Sequence, residues 1–323
     1  MDALSEVLKA LRLTTGIFLD AEFRAPWCVD STPGDEDHRV LLPRAEQVSI
    51  FHVLTQGNCV AKLSESRDPL SLRPGDLIMF PRCDSHMMGS DVQMAPVPMV
   101  SILQPVDDGS LPRISYGGEG ARTRFVCGYV VCDKRLCRPL LGALPAMVHV
   151  PLGDGQQGAW LIESLSRGAD ECRSRSPGGE AVLSRLAELV FVEAIRRHVA
   201  SLPEDRRGWL AGVRDPTVGR ALALLHTSPG RPWTVDELAR ESATSRSALG
   251  KHFAEMVGEP PMQYLTRLRL ALAAESLASG QEKVARIAER VGYESEAAFN
   301  NAFKREFGVP PAAWRRLART ARA

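Results

Sequence analysis

No stretch of this chain offers the roughly 20 consecutive apolar residues that a membrane-spanning helix needs, so no bilayer anchor of that kind is expected. Net charge is almost missing too: the formal balance at pH 7 is +1. The seven cysteines, Cys28, Cys59, Cys83, Cys127, Cys132, Cys137 and Cys172, never fall as Cys-x-x-Cys. That spacing excludes a zinc ribbon or finger. Their odd number, in a chain with no secretory pattern, argues against a disulfide framework. The opening MDALSEVLKALRL carries acidic residues and reads as an amphipathic helix, not a signal peptide, which gives a cytoplasmic expectation with no membrane partner.

What is present fits a soluble protein of two domains. The chain has 323 residues, 44% hydrophobic and 24% charged, ordinary for globular proteins and longer than one typical domain. The charge is uneven. From Asp215 onward there are 16 Lys and Arg against 12 Asp and Glu, which leaves 24 against 27 before it. A basic C-terminal region on a slightly acidic body fits a DNA-binding head joined to a domain that does not touch DNA.

The first half reads as strands. Between Val40 and Leu103 the short apolar runs VSIFHVL, NCVAKL, DLIMFP and PMVSIL are broken by Gly, Pro, Asp and Ser. Such spacing suggests a small barrel or sandwich. Asp107 to Arg122 (DDGSLPRISYGGEGAR) reads as a mobile loop, and TRFVCGYVV after it as a strand. From Arg138 the pattern turns helical, most strongly over Glu180 to Ala200, where Leu183, Leu186, Val190 and Ile195 fall near one face. That stripe must pack on the first domain or on the same helix of a second subunit. The expected division is a sensor and dimerisation domain over 1–200, a linker over 201–214 and a DNA-binding domain over 215–318.

The last third carries two helix-turn-helix units, Thr234 to Gly258 and Gln281 to Gly308. In the first, Thr234 stands at an N-cap with Glu237 at capping-box spacing, and Val235, Leu238 and Ala239 supply a buried face. Ser245 caps the next helix, and Leu249 and Phe253 point inward. Arg246, Ser247, Gly250 and Lys251 are left facing outward. In the second, Val284, Ile287, Ala288 and Val291 form the supporting helix, and Ser295 caps a helix with Phe299 and Phe303 inside. Glu296, Ala297, Asn300 and Asn301 then face a groove. Asn can bond adenine bidentately, whereas Arg246, Lys304 and Arg305 read as phosphate contacts that set register. Between the units MQYLTRLRLALAAESLAS has neither Gly nor Pro and reads as a stiff helix that fixes their separation.

The stretches IAERVGYESEAAFNNAFKREFGVPPAAWRR and LARESATSRSALGKHFAEMVGEPPMQYLTRLRL resemble the AraC/XylS family of bacterial transcription regulators. The resemblance implies groove-facing positions at Ser247, Gly250, Lys251, Glu296, Ala297, Asn300 and Asn301. Gly250 is a departure, since family members often place a base-contacting side chain there. It leaves Lys251 as the main reader of the first unit.

Upstream, FHVLTQGNCVAKL and LRPGDLIMFPRCDSHMMG resemble cupin strands, with Pro74, Gly75 and Asp76 in a turn and His86 beyond Pro81. The fold implied is α+β: a cupin-like β-barrel with flanking helices, then an all-α domain. In metal-binding cupins a histidine at that place joins two further histidines and a glutamate. Here the first motif has no His-x-His pair, and Ser49 stands near the glutamate position, so the donor set of an iron or manganese centre is missing. His52 and His86 are then either packed residues or, with Cys83, ligands suited to zinc or copper.

The chain from MDALSEVLKAL through HVLTQG, LRPGD and FVCGY is similar to a cupin-bearing subgroup that includes a regulator responsive to reactive chlorine. Its Cys-Gly dipeptide resembles Cys127-Gly128 here. Cys127, Cys132, Cys137 and Cys83 are therefore candidates for redox sensing, the last three beside Lys134, Arg135 or Arg82, which would lower a thiol pKa. Cys59 reads as a core residue. The expected function is that of a dimeric transcription regulator, not an enzyme, engaging promoter duplex and RNA polymerase. An oxidant, a small ligand or a metal received in the cupin-like domain would control it. The rival readings are a cupin metalloenzyme fused to a DNA-binding module, and a first domain that only dimerises.

Overall fold

The computed structural model describes residues 2–11, 13–31, 47–104, 111–174, 176–203 and 207–320. It divides into two units, and the chain crosses between them more than once. One unit comprises Leu13–Cys132 and Leu144–Ser201; the other gathers Met1–Arg12, Asp133–Ala143 and Leu202–Ala323.

The first unit is built on two sheets. Its strands are β1 (Thr14–Arg24), β2 (Cys28–Ser31), β3 (Val48–Gln56), β4 (Cys59–Leu63), β5 (Leu70–Leu72), β6 (Asp76–Phe80), β7 (His86–Gly89), β8 (Val97–Pro98), β9 (Arg113–Gly117), β10 (Arg122–Val131) and β11 (Val148–Pro151). One sheet runs β11-β6-β3-β10-β1-β9 and the other β5-β4-β7-β2-β8. No ladder joins them among the described residues, so the expected barrel is an open sandwich. Strand β9 arises inside the stretch expected to be a loop. Its glycines flank an alternating Ile114 and Tyr116 that pack toward the core while the strand pairs parallel to β1. Residues 107–110 of that expectation lie outside the described residues.

Side chains of one strand alternate between faces, and this sorts the six-stranded sheet. Ile50, Leu54, Ile78, Phe80, Phe125 and Cys127 face the second sheet and join Leu19, Phe23, Trp27, Ala61, Leu72 and Met88 in one core. Phe51, Val53, Leu77, Met79 and Val126 are equally buried on the other face. Two helices within this unit, α3 (Gln156–Arg173) and α4 (Gly179–Ser201), lie against the six-stranded sheet. Thr15 Oγ1 donates to the Ser184 carbonyl at 2.8 Å and Ser184 Oγ donates to the Thr15 carbonyl at 2.7 Å.

The helical unit holds α1 (Ala3–Ala10), α2 (Lys134–Ala143), α5 (Trp209–Arg214), α6 (Pro216–Thr227), α7 (Val235–Glu241), α8 (Arg246–Val257), α9 (Pro261–Ser279), α10 (Val284–Arg290), α11 (Glu296–Phe307) and α12 (Pro311–Thr320). Two segments expected in the first domain thus belong here. Helix α1 lies against α6, with Thr227 Oγ1 donating to Glu6 Oε2 at 3.2 Å, and α2 packs on α5 and α9. An amphipathic stripe announces that a helix will be covered, but not by what. Part of the expected linker is α5, whereas residues 204–206 are outside the described ones.

Candidate nucleic-acid interface and interior site

Each helix-turn-helix is fixed by its caps. Thr234 Oγ1 accepts from the Glu237 amide at 3.1 Å and starts α7. The reciprocal half of the box is absent, because Glu237 pairs with Arg231 at 2.5 Å. Ser245 Oγ accepts from Ala248 N at 3.2 Å, and Ser295 Oγ accepts from Ala298 N at 3.2 Å. Both supporting helices end the same way. Thr244 N–H reaches the Ala239 carbonyl at 3.0 Å and Tyr293 N–H the Ala288 carbonyl at 2.9 Å, the six-to-one bond of a Schellman cap. The left-handed residue in each cap is Ala243 (φ 53°) in the first and Gly292 (φ 86°) in the second. From there to the N-cap the second turn is one residue longer.

The buried sides follow the 3.6-residue period. Leu249, Phe253, Phe299 and Phe303 are all fully inaccessible, which turns the opposite face of α8 and α11 to solvent. On it, Arg246, Ser247 and Lys251 are exposed and Gly250 half-buried; Glu296, Ala297, Asn301 and Lys304 are exposed and Asn300 half-buried. Arg246 Nη1 lies 3.1 Å from Asp236 Oδ2, both largely exposed, a pairing that solvent screens to little net value. A Cβ built on Gly250 would meet nothing within 4 Å.

Helix α9 sits under both units. Leu270, Ala273, Ala274 and Leu277 share a core with Ile287, Ala288, Val291, Phe299 and Phe303. At its other end Tyr264 lies edge-on to Phe253, centroids 5.8 Å apart. Arg269 locks the middle, with Nε on the Pro229 carbonyl and Nη2 on the Arg231 carbonyl, both at 2.7 Å. The rod read from composition is therefore held along its length by side chains from both readers.

A second candidate site lies inside the sandwich. The register sets Cys127 of β10 directly opposite His52 of β3. His52 Nδ1 is 2.9 Å from Cys127 Sγ. Its Nε2 is 3.1 Å from His86 Nε2, which reaches across from the other sheet. His86 Nδ1 then meets the Asp84 carbonyl at 2.9 Å, and Phe80 stacks on the His86 ring at 3.7 Å. All three side chains are at least 97% buried. They border a small cavity whose other walls include Leu19, Phe23, Val29, Met88, Met99, Ile114 and Phe125. Gly128, the next residue, is required by close approach. A Cβ there would stand 2.2 Å from the Phe51 ring, its partner in the register.

The metal expectation is corrected by this geometry. His52 and His86 do converge, but Cys83 is not in the cavity wall; the thiol that reaches the histidines is Cys127, bonded to the far nitrogen of His52. Among the described residues no three His, Cys, Asp or Glu side chains converge as a metal set, whereas zinc sites take three or four protein ligands. His52 turns its two nitrogens to different partners, so in this arrangement the three groups do not face one ion.

The low-pKa thiol expectation is corrected as well. Burial, and then Asp84, push Cys83 up to about 11 despite Arg82 nearby. Burial also raises Cys127 far above the ordinary thiol range. Cys132 and Cys137 are disulfide-bonded and buried. Cys59 is the core residue expected, raised to about 12 by burial and then by Asp76. The pairing of His52 with Cys127 was beyond sequence reasoning, because nothing local links residues 75 apart.

Residues 2–200 match the sequence model of the Cupin family, and residues 238–317 match that of a helix-turn-helix domain. Over 98% of its length the chain is 33% identical to a putative AraC-like transcription regulator of Streptomyces lividans, covering 98% of that protein. It is 30% identical over 98% of its length to the HTH-type transcriptional regulator AlkR of Acinetobacter baylyi, covering 99% of it. It is also 30% identical, over 83% of its length and 84% of the relative's, to the RCS-specific HTH-type transcriptional activator RclR of Escherichia coli K12.

Proposed function

The chain belongs to the AraC-like transcription regulators that carry a cupin-like N-terminal domain, and from that membership we propose that a signal received inside the sandwich sets how two helices engage promoter DNA. The observation that carries the DNA half is the repeated construction of α8 and α11. In each, a serine cap and two inward apolar residues four apart turn a short polar row outward. Helices of this kind enter successive major-groove faces, one duplex turn of roughly 34 Å apart.

In this reading Asn300 and Asn301 read bases, with Glu296 and Ala297 lining the same groove. Ser247 and Lys251 do so for the first unit beside the side-chain-free Gly250. Arg246 and Lys304 hold phosphates. The signal half is supported by the cavity, where His52, His86 and Cys127 are the polar groups of an otherwise apolar wall together with Ser31. Few, convergent polar groups in a concave apolar site are the usual mark of small-molecule recognition. A second copy of the chain is assigned to α4, which leaves Val182 and Leu189 exposed seven residues apart on one face; RNA polymerase is the further partner at the promoter.

Selection of binding fragments from random duplex, followed by affinity measurement on variants, tests the reading. Asn300→Ala or Asn301→Ala should relax preference at one base position by ~1–3 kcal/mol, while Lys304→Ala should weaken binding evenly and flatten the salt dependence. An unchanged base preference in both asparagine variants would overturn the assigned groove face. A Leu189→Glu variant that sediments as the native chain does would remove α4 as the subunit contact.

A further inference from the structure

The three side chains at the cavity form a hydrogen-bond chain, and neutral rings give it one direction. The Asp84 carbonyl can only accept, so His86 Nδ1 carries a hydrogen. In a neutral imidazole the other nitrogen is then an acceptor. With both rings neutral, His86 Nε2 accepts at 3.1 Å and His52 Nε2 donates to it. That leaves His52 Nδ1 with a free lone pair, 2.9 Å from Cys127 Sγ, and the only hydrogen available there is the thiol's. Burial keeps His52 uncharged. The order is thus thiol to base to orienting group, the arrangement that activates a nucleophile.

We propose that Cys127 is a covalent capture site for a small apolar electrophile of the α,β-unsaturated carbonyl class, with His52 as its base and His86 as the residue that positions that base. The proposal rests on the reading that the signal enters this cavity, and it names the chemistry of that signal. The wall decides the class: Leu19, Phe23, Met99, Ile114 and Phe125 reward an apolar organic body, which an inorganic oxidant does not have.

The step balances without a co-reactant. As the sulfur pair forms the S–C bond at the β-carbon, the S–H bond breaks and its proton passes to His52 Nδ1. The C=C π pair moves to the α-carbon and the carbonyl oxygen as an enolate. His52 Nδ1–H then returns the proton to the α-carbon, so that S–H has been added across the double bond and His52 is neutral again. The transient imidazolium keeps its Nε2–H bond to His86 throughout. Because burial holds the resting thiol protonated, capture proceeds by proton transfer within the site and not through a standing thiolate.

The test treats the purified full-length protein with methyl vinyl ketone and, separately, with iodoacetate, and follows adducts by intact mass and peptide mapping. The expected result is one ketone adduct at Cys127 with little carboxymethylation there. Its rate should stay nearly flat between about pH 6 and 9, while labelling of the half-buried Cys172 climbs roughly tenfold per unit as its thiolate fraction grows. His52→Gln should slow capture about a hundredfold, the scale of general-base assistance. In it and in His86→Phe the residual rate should rise with pH as at Cys172, a change that packing damage alone does not produce; melting curves show that the variants are folded. Labelling of Cys172 without Cys127 would overturn capture and leave the cavity to a non-covalent ligand. So would a Cys127 rate that is indifferent to His52. A Cys127 adduct with unaltered affinity for a selected duplex would instead overturn the cavity as the signal input, while the capture chemistry stands.

Discussion

The Arg135 guanidinium lies 4.4 Å above the ring of Trp314. Trp314 in turn donates its Nε1–H to the Ala274 carbonyl at 3.2 Å and packs against Phe303 and Phe307. A residue from the stretch matched as Cupin thus covers the aromatic cluster that supports the second reader. Leu136, Leu140 and Leu141 of the same helix are buried. Arg135→Ala should lower the stability of the helical unit by about 0.5–2 kcal/mol, the range of a partly desolvated cation–π contact. Chemical denaturation of the full chain followed by tryptophan fluorescence measures it. An unchanged midpoint would show that the contact contributes nothing.

Gly250 offers the opposite kind of experiment. It stands inside α8, where glycine costs a helix roughly 0.5–1 kcal/mol relative to alanine. The space beside it is empty in the free protein. Gly250→Ala should therefore raise the melting temperature by an amount matching that energy. If the open space is where a base edge sits, Gly250→Gln should add a sequence preference at one position of the first half-site. A stabilised variant with no new preference would place the groove face of α8 elsewhere.

The helical unit was the more legible half. Its caps, periods and breaks are all local, and Thr234, Ser245 and Ser295 cap where their neighbours in sequence say they should. The glycine count of 107–122 hid β9, whose existence depends on its pairing with β1. Likewise the Cys127–His52 pair exists only through the β3–β10 register, and the docking of α1 and α2 only through the tertiary surface they find. Thiol pKa was misjudged for the same reason. Arg82 is visible next to Cys83 in the sequence, while the burial that outweighs it is not.

Ala243 shows where the two readers differ in strain. Its φ of 53° lies in the left-handed region, which costs a residue with a Cβ roughly 1–2 kcal/mol; the second unit uses Gly292 for the same task. Part of any gain is offset, because a new glycine adds freedom to the unfolded chain. Ala243→Gly should nonetheless be neutral or stabilising by up to about 1 kcal/mol. The same change at Ala239, which is helical and buried, should destabilise. Thermal melts of both variants check the pair, and a clear loss of stability in Ala243→Gly would refute the strain.

The acid limit of this unit should be set in part by His226. Tyr264 Oη accepts the Trp209 Nε1–H at 3.4 Å and shares a hydrogen bond with His226 Nε2 at 2.8 Å. The imidazole's Nδ1 is buried without a protein partner among the described residues. Burial first, then Arg267 against the opposing pull of Glu6, lowers its pKa to about 4 from an ordinary 6.5. As pH falls, the unfolded chain takes up the proton first. The stability tied to the neutral ring is fully present above about pH 6.5 and is lost progressively toward pH 4. At pH 5 the loss should be ~2 kcal/mol. His226→Gln keeps an acceptor for Tyr264 but cannot titrate, so its stability should change less between pH 7 and 5 than that of the native chain. Urea midpoints at the two pH values decide the matter: equal losses in both proteins would clear His226 of any part in acid sensitivity.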